Sequence, residues 1–165
     1  MQRIIKNGQV VDETWHLLAK DVTLDVIPNC DDIIVPLALW REHAHALKAR
    51  DGGLGVWLEA GDEIEEVADD LAHFQVIALE FPAFTDGRGY SYARLLRDRY
   101  GFKGEIRAVG NVLPDQYAFM ARCGFDALEV PEQVTVESWR RAVGHVSIAY
   151  QPSTNDQGYR MAGVL

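Results

Sequence analysis

The stretch "GEIRAVGNVLPDQYAFMARCGFDALEV", residues 104–130, decides the fold. "GEIRAVG" reads as a short strand and "FDALEV" as a second. Between them "PDQYAFMARC" reads as a helix, with Pro114 in its first turn and Gly124 just past its end. A helix between two short strands carries the chain back across the sheet, so the two strands run parallel rather than as a hairpin.

The same grammar repeats towards the amino terminus. "FQVIALEF" is a strand followed by the helix "YSYARLLRDRY", which Gly101 closes. "LGVWLEA" is a strand; after it Asp62 and Glu65 form a capping-box-like start, and Ile64, Val67, Ala68 and Leu71 make one helical stripe. "IIVPLALWREHAHALKARDGG" opens with a β-branched run, continues with Leu37, Trp40, Ala44 and Leu47 at helical spacing, and stops at Asp51-Gly52-Gly53. "TVESWRRAVG" is a last helix, with Thr135 as cap and Val136, Trp139 and Val143 on one face. At the amino terminus "RII" and "QVV" flank Asn7-Gly8, a dipeptide that accepts the positive φ angles of a tight hairpin. The expected class is α/β: a mainly parallel sheet of four or five βα units with an N-terminal β-hairpin. At 165 residues the chain is too short for a complete eight-unit barrel of about 250 residues, which leaves an open sheet or a part-barrel. Residues 1–150 read as a single domain, with 1–30 as the hairpin extension and 151–165 as a polar tail.

Composition bounds the function. The net charge is −9, from 16 Lys+Arg against 25 Asp+Glu, so a general nucleic-acid binder, which needs a basic footprint, is disfavoured. Cys30 and Cys123 stand far apart in no CxxC pattern, which argues against a disulfide framework, a zinc site or an iron–sulfur cluster. Two buried thiols in a reducing compartment are expected. No apolar run is long enough for a signal peptide or a membrane span, so a cytoplasmic location without membrane partners is expected. His43 and His45 lie two apart on a helix and face different ways. His16, His73 and His145 are scattered, and no metal site is read. "GRGYSY" places Tyr92 where a dinucleotide fingerprint needs its third Gly or Ala, and neither GxSxG nor HExxH occurs. No cofactor is named by the residues.

In parallel α/β sheets ligands collect beyond the carboxyl ends of the strands, and two loops there carry chemistry. "FTDGRGYS" brings Asp86, Gly87, Arg88, Gly89 and Ser91 into one helix; "VGNVLPDQ" brings Asn111, Asp115 and Gln116 into the next. Gly87 and Gly89 allow close backbone approach, and Arg88 offers a planar fork for carboxylate, sulfate or phosphate. From Asp86 to Gly124 there are seven Lys+Arg against four Asp+Glu, a local +3 that leaves −12 for the remainder. The pattern reads as a small-anion cradle, or as a capped tight loop beside the solvated face of a helix that carries Arg94, Arg97 and Arg99. Strand parity supplies a second constellation: Arg107 is opposite in phase to Ile106 and Ala108, while Glu59, Glu80 and Glu129 lie near the ends of their strands. A buried Arg107 needs a carboxylate, with Glu80 as the expected partner, as an acid/base centre or as a structural ion pair. Asp86, Asp115, Glu80 and Arg107 are therefore the catalytic candidates.

The run "DGRGYS…ARLLR…GEIRAVG…DQ…RCGF", preceded by "VPLALW" and "LGVWLEAGDEIEEVADDL", resembles a bacterial domain family of unknown function that is described as an oxidoreductase involved in sulfite reduction. The resemblance covers roughly residues 33–130. It implies sulfur assimilation, with the sulfite reductase haemoprotein as a partner, and supplies no catalytic residues to carry over. As an enzyme the chain would hold a small anionic substrate or cofactor with Asp86, Arg88, Asn111, Asp115 and Gln116. As a non-enzymatic adaptor it would dock on the reductase through the same surface. The chain shows no cluster ligands and no flavin or nicotinamide fingerprint, so an accessory role in sulfite reduction is the favoured expectation.

Overall fold

The computed structural model describes residues 3–83, 85–131 and 135–144. Its strands are β1 (Arg3–Lys6), β2 (Gln9–Asp12), β3 (His16–Leu17), β4 (Ile33–Pro36), β5 (Leu54–Leu58), β6 (Val76–Phe81), β7 (Glu105–Gly110) and β8 (Ala127–Glu129). Its α-helices are α1 (Leu37–Lys48), α2 (Arg88–Asp98), α3 (Tyr117–Cys123) and α4 (Val136–Gly144). One sheet holds all eight strands in the order β2-β1-β8-β7-β6-β5-β4-β3. From β3 to β8 every neighbouring pair is parallel; β1 runs antiparallel to both β2 and β8. The α/β expectation with an N-terminal hairpin therefore holds, and the choice between open sheet and part-barrel falls to an open, curled half-barrel.

Chain length forces the curl. β2 and β3 are the two edges of the sheet, yet only Glu13, Thr14 and Trp15 separate them. Seven strand spacings in a flat sheet span about 34 Å, whereas the four steps from Asp12 to His16 reach at most about 14 Å. The sheet must bend until its edges approach, and residues 13–15 cross the open mouth.

Curling separates two faces. Residues one apart along each strand point to opposite sides. Ile33, Val35, Val56, Leu58, Ile77, Leu79, Ile106 and Leu128 lie on the convex side, in one cluster with Leu37, Trp40 and Leu47 of α1, Ala93 and Leu96 of α2, Met120 of α3 and Trp139 of α4. Ile34, Trp57, Val76, Ala78 and Val109 form the smaller concave cluster, against which Trp15 and Leu17 pack.

Local chemistry sets the turns. Asn7 and Gly8 take φ of 51° and 78°, the left-handed pair that closes the β1–β2 hairpin. Gly124 caps α3 at φ 108°, and its N–H bonds the carbonyls of Ala121 and Met120. The segment expected to be a capped α-helix after β5 is instead a 3₁₀-helix over Ile64–His73. Its buried residues, Ile64 and Val67, are three apart, as three residues per turn require. The Asp62 carboxylate accepts the Glu59 N–H at 2.8 Å, closing the turn after β5 rather than capping a helix. Of the two cysteines, Cys123 is buried as expected, but Cys30 is exposed, because it sits in the turn before β4. The cap contact of Thr135 holds: its Oγ1 accepts the Ser138 N–H at 3.2 Å. The tail 151–165 lies outside the described residues.

Gly89, in the first turn of α2, lies against Phe81 at the end of β6, and a Cβ there would stand 2.6 Å from the ring. Gly89→Ala should therefore destabilise the protein by about 1–3 kcal/mol through overpacking, read as a lower urea midpoint with an unchanged m-value.

Candidate functional site

The two expected loops leave adjacent strands. β6 and β7 pair in parallel register from Val76↔Glu105 to Phe81↔Gly110, so both loops emerge on the same carboxyl rim. Main-chain contacts fasten them: the Asn111 N–H donates to the Phe81 carbonyl at 2.8 Å, and the Asn111 side-chain amide donates to the Pro82 carbonyl at 2.6 Å. Gly110 makes this approach feasible, with φ 91° and only 2.7 Å between a hypothetical Cβ and the Phe81 oxygen.

At the start of α2 the cradle already contains an anion belonging to the chain. Asp86 Oδ1 accepts the Arg88 N–H and Nε–H, both at 3.1 Å, and Oδ2 accepts from Arg88 Nη2 at 2.7 Å. The Arg88 fork and backbone hold the Asp86 carboxyl below the usual carboxylate range. Arg88 itself is more than half exposed, and no atom of the described residues lies within 4 Å of where a Gly87 Cβ would be. Gly89 serves helix–strand packing against Phe81. Gln116 Oε1 accepts the Leu113 N–H at 3.0 Å in a short 3₁₀ turn, Pro114–Gln116, that leads into α3. Asp115 is exposed in that turn. Ser91 lines a groove between α2 and α3.

The second constellation gathers on the concave face. Register places Trp57, Ala78, Arg107 and Ala127 in one row. The next row towards the carboxyl rim holds Glu80 opposite Val109, with Glu59 one step beyond the last β5 residue paired with β6 and Glu129 one step beyond the last β8 residue paired with β7. Arg107 is only 3% exposed. Its partners are Glu13 and Glu105, the latter 2.6 Å from Nη2, and not Glu80. The expected pairing is overturned because Glu80 sits one row higher, where Lys20 pairs with Glu59 at 2.9 Å and with Glu80 at 3.7 Å. Lys20 Nζ also lies 5.1 Å from the centre of the Trp57 ring. Lys6 adds a second cation to Glu105 at 2.6 Å.

Sequence reasoning did not single out Glu13, Lys20 or Glu105 as partners of this face. Glu13 and Arg107 are 94 residues apart, and no local pattern signals their contact. The cavity left beside Glu13, Arg107 and Glu129 is about 10 Å³, the space of a single water. The concave face is thus closed by the chain's own segment 13–20, and its charges serve each other. Among the described residues no three His, Cys, Asp or Glu side chains assemble as a metal-ligand set, and no helix is long and apolar enough to cross a membrane.

Removing one partner of a buried ion pair leaves the other uncompensated, so Arg107→Ala should cost about 3–5 kcal/mol of stability by urea unfolding. Glu129 gives a separate, pH-dependent signature. Desolvation raises its carboxyl above the ordinary value, opposed by the Gly110 N–H, which it accepts at 3.1 Å, and by Arg107. A raised folded pKa favours the protonated carboxyl in the fold, so this contribution is complete below the unfolded value and is lost as pH rises through the folded one. Glu129→Gln, whose carbonyl still accepts from Gly110, should be more stable than wild type at neutral and alkaline pH. The gain should vanish as pH falls below the ordinary glutamate range, as followed by urea midpoints across pH.

No curated protein sequence matches the chain significantly. A family model described as a bacterial protein of unknown function (DUF934) matches residues 55–159, from within β5 to beyond α4, and the chain belongs to that family.

Proposed function

We propose that the chain is an accessory protein of sulfite reduction that holds a small oxyanion at the carboxyl edge of its sheet. The observation that carries the anion reading is the Asp86 carboxylate gripped by the Arg88 fork and the Arg88 N–H at the start of α2. Those donors suit any planar or pyramidal oxyanion, sulfite included, and the helix terminus adds its partial positive charge. An ion pair this open to solvent contributes little to the fold. The Arg88 side chain can therefore leave Asp86 for a ligand, and the described residues leave space over Gly87 for that ligand. The sulfur chemistry rests on the resemblance of "DGRGYS…GEIRAVG…DQ" to a family described in those terms.

Asp86 is at once a stand-in for the ligand and its competitor, and this makes the reading testable. Calorimetric titration with sulfite should show saturable binding that Arg88→Ala weakens about ten-fold or more, the loss of a charge-assisted bidentate contact. Asp86→Asn should tighten binding by removing the competing charge. Sulfite binding indifferent to both substitutions, or none at millimolar sulfite, would sink the cradle.

A further inference from the structure

A different surface, independent of the Asp86–Arg88 cradle, carries a second reading. α2 and α3 lie side by side, and the groove between them is lined by Tyr90, Ser91, Arg94, Phe119, Arg122 and Cys123. Arg94 and Arg122 have no hydrogen-bonded or ion-paired acceptor among the described residues, and Arg122 Nε is buried without a partner. Elsewhere Arg41, Arg88, Arg97 and Arg107 each hold a carboxylate, and Arg50 holds backbone carbonyls. Arg3, Arg99 and Arg140 also lack such an acceptor among the described residues, but Arg94 and Arg122 stand together beside one groove, in a chain of net charge −9.

The groove is also the place where aromatic surface reaches solvent. Phe81 of β6 packs edge-on against Tyr90, their centroids 5.2 Å apart, and Tyr90 packs on Phe119 at 4.8 Å. This file of rings runs from the core outwards and ends at Phe119, which is 51% exposed, while only Val11 and Val26 are comparably exposed among the described large hydrophobics. Its inner members are anchored, so Phe119 offers apolar area at low ordering cost. Aromatic rings and arginines together make up the energetic centres of protein interfaces.

We propose that the α2–α3 groove docks an acidic segment of a partner protein, in which an apolar side chain packs on Phe119 and flanking carboxylates take Arg94 and Arg122. An inorganic anion would use the arginines and leave the aromatic file without a role. Nucleic acid is disfavoured, because two arginines on an acidic body neutralise too few phosphates. The chain's overall negative charge does not oppose the docking of a short acidic segment, since fields beyond about 8 Å are screened at physiological salt and the groove's own cations dominate locally.

The test places p-benzoylphenylalanine at position 119 of the full chain, cross-links in the bacterial host, and identifies the joined segment by mass spectrometry. The expected product is a segment of another protein with Asp or Glu on both sides of an apolar residue. A synthetic peptide of that segment should bind the purified wild-type chain, and binding should weaken about ten-fold or more in Arg94→Glu/Arg122→Glu, where like charges now meet. Arg94→Gln/Arg122→Gln, which removes the charges and adds no repulsion, should weaken it in the same direction, and raised salt should do so in the unsubstituted chain. The proposal is overturned by a cross-link to a neutral or basic segment, to a second copy or within the chain itself, or by no cross-link. Peptide binding indifferent to both substitutions and to salt overturns it equally.

Discussion

Three residues between the two edges of an eight-stranded sheet set the terms for the rest of the molecule. Glu13, Thr14 and Trp15 cannot span a flat sheet, so the sheet curls, and the linker lies across the mouth that curling creates. Once there, it has to satisfy what it covers. Arg107 points into that space from β7 and is shut away from water, so its charge needs a carboxylate within reach, and Glu13 on the linker supplies one beside Glu105. A buried ion pair adds little net stability over a well-packed apolar pair. What it adds here is position: the pair joins the linker to the middle of the parallel sheet, while Lys20 repeats the device one row higher through Glu59 and Glu80.

That closure decides where ligands can go. A complete barrel fills its interior with side chains from all its strands. This half-barrel fills its concave face with Trp15 and Leu17 from the linker and β3, against Ile34, Trp57, Val76, Ala78 and Val109. The other usual site in parallel sheets, the crevice where strand order reverses, is also missing from β3 to β8, because these strands follow one another in chain order without a switch. Among the described residues, the surfaces this leaves for a ligand are the carboxyl rim and the outer helical layer, where α2 and α3 carry the basic part of an acidic chain.

Features that depend on neighbours in sequence were legible before any coordinates. Asn7-Gly8, Gly101, Pro114 and Gly124 each dictate a local turn or helix boundary, and each stands where it was expected. The alternation that set Arg107 apart from Ile106 and Ala108 correctly placed it on a different face from the convex core. Contacts across the sheet were not legible. Glu80 seemed the natural partner for Arg107, but a register offset of one row separates them, and register is a property of paired strands that neither strand states alone. Gly89 looked like room for a ligand and proves to be room for Phe81. Arg94 looked like part of a solvated helical face, and Arg122 carried no signal at all. Their proximity exists only because α2 and α3 follow adjacent strands and lie together.

If the rim loop holds an anion as proposed, a short sequence interval builds the binding geometry in advance. Asp86 and Arg88 are two residues apart, so their pairing draws on loop and helix start alone and forms without a ligand. The internal carboxylate keeps the Arg88 guanidinium extended and oriented, which spares an incoming oxyanion the entropy of ordering a long side chain. On that reading the same carboxylate has to be displaced from the fork, and only the fraction of molecules with Arg88 released would bind at full strength. Preorganisation and competition thus come from one contact. Solvent screening of an exposed pair keeps the competition weak, and the backbone N–H of Arg88 can hold Asp86 while the side chain turns outwards. On the proposed reading, a loop built this way suits a small anion that is gripped moderately and exchanged readily.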